Sequence, residues 1–228
     1  MSKNLKPQIH IFFPEASCRG NKIDLCEHFY IKHSFLRKVT KAVIKFYAED
    51  HEKDFERAII EKNKKNSNTK NDLFFIVLDT DISANRANIN SVINHISALN
   101  RKYNNDAEII LSGRSFEVWL CMYNRTQYTT PFTNQSKLNS DVFSSYEKKE
   151  RWYQSNRDRL YNDYDDAKRA SILSKQNVYP TTLNPAPSGY NLVHNNPDFS
   201  IPAIVRYLVT TTPFTYFEHL IDTLKLYE

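Results

Sequence analysis

The chain has 228 residues, of which 40% are hydrophobic, with 31 Lys and Arg against 26 Asp and Glu for a formal net charge of +5. That suits one domain with insertions or a small appendage, and the mildly basic balance is compatible with a nucleic-acid partner without establishing one. The three cysteines, Cys18, Cys26 and Cys121, form no CxxC pair and exclude a zinc finger or a disulfide scaffold, while the three glycines, Gly20, Gly113 and Gly189, exclude a P-loop or a GxGxxG turn.

The segment QIHIFFPE reads as a first strand that ends at Pro14-Glu15. A polar turn follows, and a helix is expected over roughly residues 23–36. TKAVIKFYAED is rich in β-branched and aromatic residues and reads as a second strand. HEKDFERAIIEKNKK has helical spacing, with Phe55, Ile59 and Ile60 on one face, and the basic, Asn-rich tract after it reads as an exposed loop. DLFFIVLDTD is the third and most hydrophobic strand. An amphipathic helix follows, with Ile89, Val92, Ile93, Ile96 and Leu99 on one side. AEIILSGRS is a fourth strand. SFEVWLCMYN opens a helix for which Ser115 is the expected N-cap.

This β/α alternation over residues 8–125 predicts an α/β core with a mostly parallel sheet flanked by helices. Residues 126–228 form an expected C-terminal extension, mainly helical or irregular. TQYTTPFTNQSKLNSD reads as a loop, and the tract from Asp141 to Gln176 as polar helix with interleaved aromatics. A Pro- and Asn-rich irregular stretch and terminal helices complete it. The N-terminus has no apolar signal segment and no window spans a bilayer, so a cytoplasmic protein with reduced thiols is expected.

Asp79 and Asp81 stand at the exit of a buried strand. If both stay extended they point to the same side. Adjacent carboxylates repel unless protons or a cation intervene, and Mg²⁺ or Mn²⁺ is the hard cation that such oxygens suit. Glu15 leaves the first strand at the same edge, where it would ligate the ion or act as general base. Glu117, between apolar neighbours in a first helical turn, would offset the helix dipole or complete the acidic pocket. Arg114 would pair with Glu117 or meet a phosphate. The stretch KKERWYQSNRDRLY, with Lys148, Lys149, Arg151, Trp152 and Arg157, together with RTQYTTPF, would track a nucleic-acid backbone and stack bases, or serve as a solvated face. His95 and His194 read as ordinary surface or packing residues.

These residues resemble a Toprim domain, with a Glu after the first strand and a DxD after a later one. The fuller pattern is similar to the RloB family, which includes the AbiL-type abortive-infection proteins. The resemblance rests on FIVLDTD, LSGRSFEVWL, DDAKRA and NNPDFSIPAIVRYLV. It implies a Toprim-like, Rossmann-like sheet and metal-dependent phosphodiester hydrolysis of RNA, such as transfer RNA, or of DNA. The metal ligands would be Glu15, Asp79 and Asp81, with Glu117 joining them in catalysis. It also implies a toxic effector role in anti-phage defence beside an ATPase of the AAA or ABC type, with a homodimer among the expected assemblies. The family's Glu-Gly-x-x-Thr-Glu turn departs here to Glu15-Ala16-Ser17-Cys18-Arg19-Gly20, with Lys22 and Asp24 as substitutes for its polar positions.

Two rival readings stand beside it. FIVLDTDIS and IILS look like the first motifs of haloacid-dehalogenase-type phosphatases, with Asp79 as nucleophile, Asp81 as general acid and Ser112 as phosphate ligand. Alternatively the fold persists as a non-catalytic regulatory subunit of the ATPase.

Overall fold

A computed structural model describes residues 6–19, 22–64, 69–81, 89–103, 106–124, 126, 128, 134–176 and 214–228. Strands β1 (Gln8–Phe13), β4 (Val43–Ala48), β5 (Leu73–Asp79) and β6 (Glu108–Ser112) form one sheet in the order β4-β1-β5-β6. All of its pairings are parallel. The central strands β1 and β5 are near-continuous apolar runs, as strands covered on both faces must be. Their alternation splits the core in two. Ile9, Ile11, Phe13, Phe75, Val77 and Ile110 pack to one side, and Phe12, Phe74, Ile76, Leu78, Ile109 and Leu111 to the other. The result is the expected α/β, Rossmann-like architecture.

Helices α2 (Glu52–Lys62) and α3 (Ile89–Tyr103) cover the second face through Phe55, Ile59, Ile96, Leu99 and Tyr103. Ile60 does not join them: it is 63% exposed, because only Phe55 and Ile59 fall on the buried stripe. Helices α1 (Cys26–Tyr30), α4 (Glu117–Met122), α5 (Gln135–Asp141), α6 (Glu150–Asn162), α7 (Tyr164–Gln176) and α8 (Phe217–Lys225) gather on the first face. Trp119 is fully buried at their centre, its ring 6.0 Å from that of Phe217. Burying a large side chain of this kind contributes on the order of 2–3 kcal/mol.

The segment expected to be one helix over residues 23–36 is different. A short antiparallel pair, β2 (Cys18–Arg19) with β3 (Lys22–Ile23), comes first. Helix α1 then widens into a π-helical turn over Ile31–Phe35. Helix α5 lies within the tract read as loop. Its start is set by Asn134, whose side chain accepts from the Lys137 backbone N–H. The polar tract 141–176 divides into two helices, α6 and α7. The irregular tract 177–194, with His194, and the NNPDFSIPAIVRYLV element lie outside the described residues.

The C-terminus returns to the sheet. Thr215 bridges Ser112 in antiparallel fashion, Gly113 N–H donates to the Phe214 carbonyl at 2.7 Å, and Tyr216 N–H to that of Leu111 at 2.9 Å. From α7 the buried Lys175 donates to the Thr215 carbonyl at 2.6 Å and pairs with Glu218. The segment 214–216 is thereby fixed against the outer side of β6.

Candidate functional site

In a doubly wound sheet of this order the chain reverses direction between β1 and β5, and a crevice opens beyond their carboxyl ends. Glu15 lies just past β1, in a turn closed by Ala16 N–H on the Phe13 carbonyl at 3.2 Å. Asp79 is the last residue of β5. It shares the parity of Phe75 and Val77, so its side chain faces α1 and α4. Asp81 is not extended. Its φ is 47°, a left-handed conformation that Asp tolerates better than most residues. The two aspartates are therefore not the same-side pair that strict alternation predicts. Arg114 is left-handed as well, with φ 77°. The two turns are laced together: Asp81 N–H donates to the Arg114 carbonyl at 2.8 Å, and Arg114 N–H to Thr80 Oγ1 at 2.8 Å.

Asp79 is the electrostatic centre. Its Oδ2 accepts from the Phe116 backbone N–H at 3.1 Å, while its Oδ1 is buried with no hydrogen-bond partner. Burial, then the charges of Glu27, Glu117 and Asp81, push its carboxyl well above the usual range. Glu15 is exposed, yet partial desolvation and the Asp81 charge raise it to about 7. Glu27, which the sequence reading did not single out, is buried in the first turn of α1. Burial above all, with Glu117 and Glu15 adding to it, lifts its carboxyl to about 8. An acid flanked by Leu25, Cys26, Phe29 and Tyr30 was the available signal.

Glu117 is buried but fully partnered. Its Oε2 accepts from Ser115 Oγ at 2.7 Å and Gln135 Nε2 at 3.1 Å, and its Oε1 from Tyr146 OH and Lys148 Nζ, each at 2.8 Å. Burial opposes ionisation, but Lys148, Ser115 and Tyr146 outweigh it and hold the carboxyl below the usual range. Ser115 is thus a ligand of Glu117 rather than the side-chain cap of α4. Arg114 Nε donates to Gln135 Oε1 at 3.3 Å instead of meeting Glu117. Cys26 lies 3.4 Å from Tyr146 OH, and burial pushes its thiol up to about 12, so it is inert. Lys22 and Asp24 are exposed.

The basic residues of the α6 region divide. Lys148 turns inward to Glu117. Lys149 and Arg151 share Glu147, and Arg157 Nε lies 3.7 Å from Asp158. Trp152 is 6% exposed, and its indole N–H donates to the Ser144 carbonyl at 3.0 Å. Its ring packs on Phe143 and Tyr146, so it is a core residue in this arrangement and not a free stacking platform. Tyr128 of the RTQYTTPF stretch is buried too, while several of its neighbours lie outside the described residues. Ser112 Oγ, the expected phosphate ligand of the phosphatase reading, is buried and bonded to Thr215 Oγ1 at 3.0 Å.

Among the described residues no three His, Cys, Asp or Glu side chains stand together at metal-holding spacing. The donor chemistry nevertheless fits a hard cation. Asp79 presents an unpartnered buried oxygen, and Asp81 and Glu15 are exposed enough to turn toward it. Fold and site together define an α/β protein with an acidic crevice at the switch point of a parallel sheet. A family model described as RloB-like protein matches residues 17–199, and the chain belongs to that family. The matched span includes Asp79, Asp81 and Glu117 and begins just after Glu15. No curated protein and no solved structure matches the chain. No described helix is long and apolar enough to cross a membrane.

Proposed function

We propose that this protein is a metal-dependent nuclease with a Toprim-like site, acting as the toxic effector of an anti-phage abortive-infection system beside a partner ATPase in the cytoplasm. The observation that carries the reading is Asp79. It is a buried carboxylate with an orphaned oxygen, raised by burial and by three neighbouring acids at the one sheet edge where α/β folds place their ligands.

Asp79 and Asp81 would hold Mg²⁺ or Mn²⁺, with Glu15 as a further ligand. The ion, when bound, would polarise the scissile phosphate and steady the leaving oxygen. Alternatively Glu15, if it does not ligate the ion, would act as general base toward the attacking water. The Phe116 N–H orients Asp79 by fixing Oδ2, which leaves Oδ1 without a hydrogen-bond partner. Glu117 positions rather than reacts, since its oxygens are already engaged. Exposed Lys149, Arg151 and Arg157 offer a salt-dependent contact to an RNA or DNA backbone.

A second reading, a non-catalytic regulatory subunit of the ATPase, draws on the Lys148–Glu117 pair, which already engages one acid of the pocket. Calorimetry with Mn²⁺ on the wild type and on Asp79→Asn/Asp81→Asn separates the two. Binding that disappears in the double variant supports the metal site, and nuclease assays with the ATPase then follow. Equal heats from both proteins would hand the case to the regulatory subunit.

A further inference from the structure

Lys148 sits on the connection between α5 and α6, at the lip of the acidic pocket. Its side chain is 50% exposed, while that of its partner Glu117 is only 2% exposed. A surface cation therefore reaches inward to a deep carboxylate. Its neighbours do the opposite: Lys149 and Arg151 turn to Glu147, whose side chain is 43% exposed. The Lys148 ammonium also acts beyond Glu117. It attracts the buried Glu27 and Asp79 carboxyls. The ammonium thus faces a cluster of acids made by Glu27, Asp79 and Glu117. Its stem is four flexible carbons, and its head is a compact, strongly hydrated point charge.

We propose that Lys148 is a tethered counter-cation of the acidic pocket, a positioning residue that offsets carboxylate repulsion in the metal-free protein and opposes entry of a divalent cation. The proposal rests on the metal-site reading. A divalent ion and the ammonium are drawn by the same acids. The resident charge raises the local potential, so it weakens metal binding, and it keeps Glu117 ionised and in place until an ion arrives. Lys148 thus sets a threshold concentration below which the pocket stays closed on itself. Its role differs from the backbone contact expected of a basic residue in this stretch.

The test is Mn²⁺ calorimetry and thermal melting of the whole chain as wild type, Lys148→Met and Lys148→Arg, with Lys148→Gln as a second neutral variant should the Met protein fold poorly. Lys148→Met is expected to bind Mn²⁺ on the order of tenfold more tightly, as removal of a unit charge near a divalent ion in a partly solvated site requires. Lys148→Arg keeps the charge and should bind like the wild type. In EDTA the neutral variant should melt below the wild type, and saturating Mn²⁺ should close that gap. A purely structural ion pair gives another pattern: the neutral variant would bind Mn²⁺ equally or less well and melt lower with or without it. That result overturns the proposal and leaves the metal site standing. A wild type that binds no Mn²⁺ removes the metal site and the proposal together, and the two failures are thereby told apart.

Discussion

At Asp79 the chain accepts a local electrostatic cost. One oxygen is fixed by the Phe116 N–H and the other has no partner, with Glu27, Glu117 and Asp81 all opposing its charge. Replacement of a buried, uncompensated charge by a neutral isostere is often neutral or stabilising. Asp79→Asn keeps an oxygen for the Phe116 N–H, so it should stabilise the metal-free protein by about 1 kcal/mol or more. Urea unfolding in EDTA reads this directly, and a clear loss of stability would show that the carboxylate is compensated by something the crevice conceals. The visible parts of the site were those at strand ends. Glu15, Asp79 and Asp81 interrupt apolar runs, and a run that stops in an acid is readable from sequence. Glu27 and the inward turn of Lys148 were not. Glu27 had only its apolar flanks to mark it, and Lys148 lies in a polar stretch where tertiary packing alone decides which charge turns inward. The left-handed φ of Asp81 was equally hidden, because alternation presumes that the strand continues.

Among the elements, β1, β5 and β6 were legible because buried parallel strands are uniformly apolar. Short polar helices were not. Helix α5 has few apolar residues and is held by its Asn134 cap and by the burial of Leu138. The return of the C-terminus to β6 has no local signal at all, yet Gly113 records it. A Cβ built at Gly113 would stand 2.6 Å from the Phe214 ring, far inside contact distance. The same residue donates its N–H to the Phe214 carbonyl. Gly113→Ala must therefore push residues 214–216 off the sheet edge or distort the β6 exit, at a cost of about 1–3 kcal/mol. The exit of β6 carries Arg114 and leads to Phe116, which orients Asp79, so the variant should lose metal affinity along with stability. Chemical denaturation followed by calorimetry tests both. A protein of unchanged stability would mean that the C-terminal segment is not seated against Gly113.

At the scale of the whole molecule, desolvated histidines and desolvated carboxyls pull stability in opposite directions with pH. His10 lies on the α2/α3 face, stacked on Phe74 at 4.4 Å and hydrogen-bonded through Nδ1 to Tyr47 OH at 2.8 Å. His28 lies on the other face, with Nδ1 2.9 Å from the Ile23 carbonyl. Burial pulls both rings down to about 4, against Asp72 for His10 and against the Ile23 carbonyl bond for His28. An unfolded histidine takes its proton near pH 6.5, whereas these folded ones wait until about 4. Between those values the unfolded chain binds more protons, so stability rises with pH through that window and is lost on acidification. Glu15 and Glu27 act the other way. Their folded carboxyls hold protons up to about 7 and about 8, so the folded state binds more protons above the usual carboxylate range and stability falls as pH rises toward those values. Between about pH 4.5 and 6.5 the two rings largely offset the two carboxyls, and above about 6.5 the carboxyls act alone, so the metal-free protein should lose stability as pH rises from about 6.5 to 8. Urea midpoints measured from about pH 4.5 to 8.5 should run nearly level at first and then decline. His28→Gln, which keeps a donor for the Ile23 carbonyl, removes one of the offsetting contributions, so its midpoints should already decline below about pH 6.5, and Mn²⁺ should flatten the decline above it by replacing the protons that Glu15 and Glu27 otherwise retain. A level profile below about pH 6.5 in His28→Gln would mean that this ring is protonated without opening the fold, and that His10 alone opposes the carboxyls.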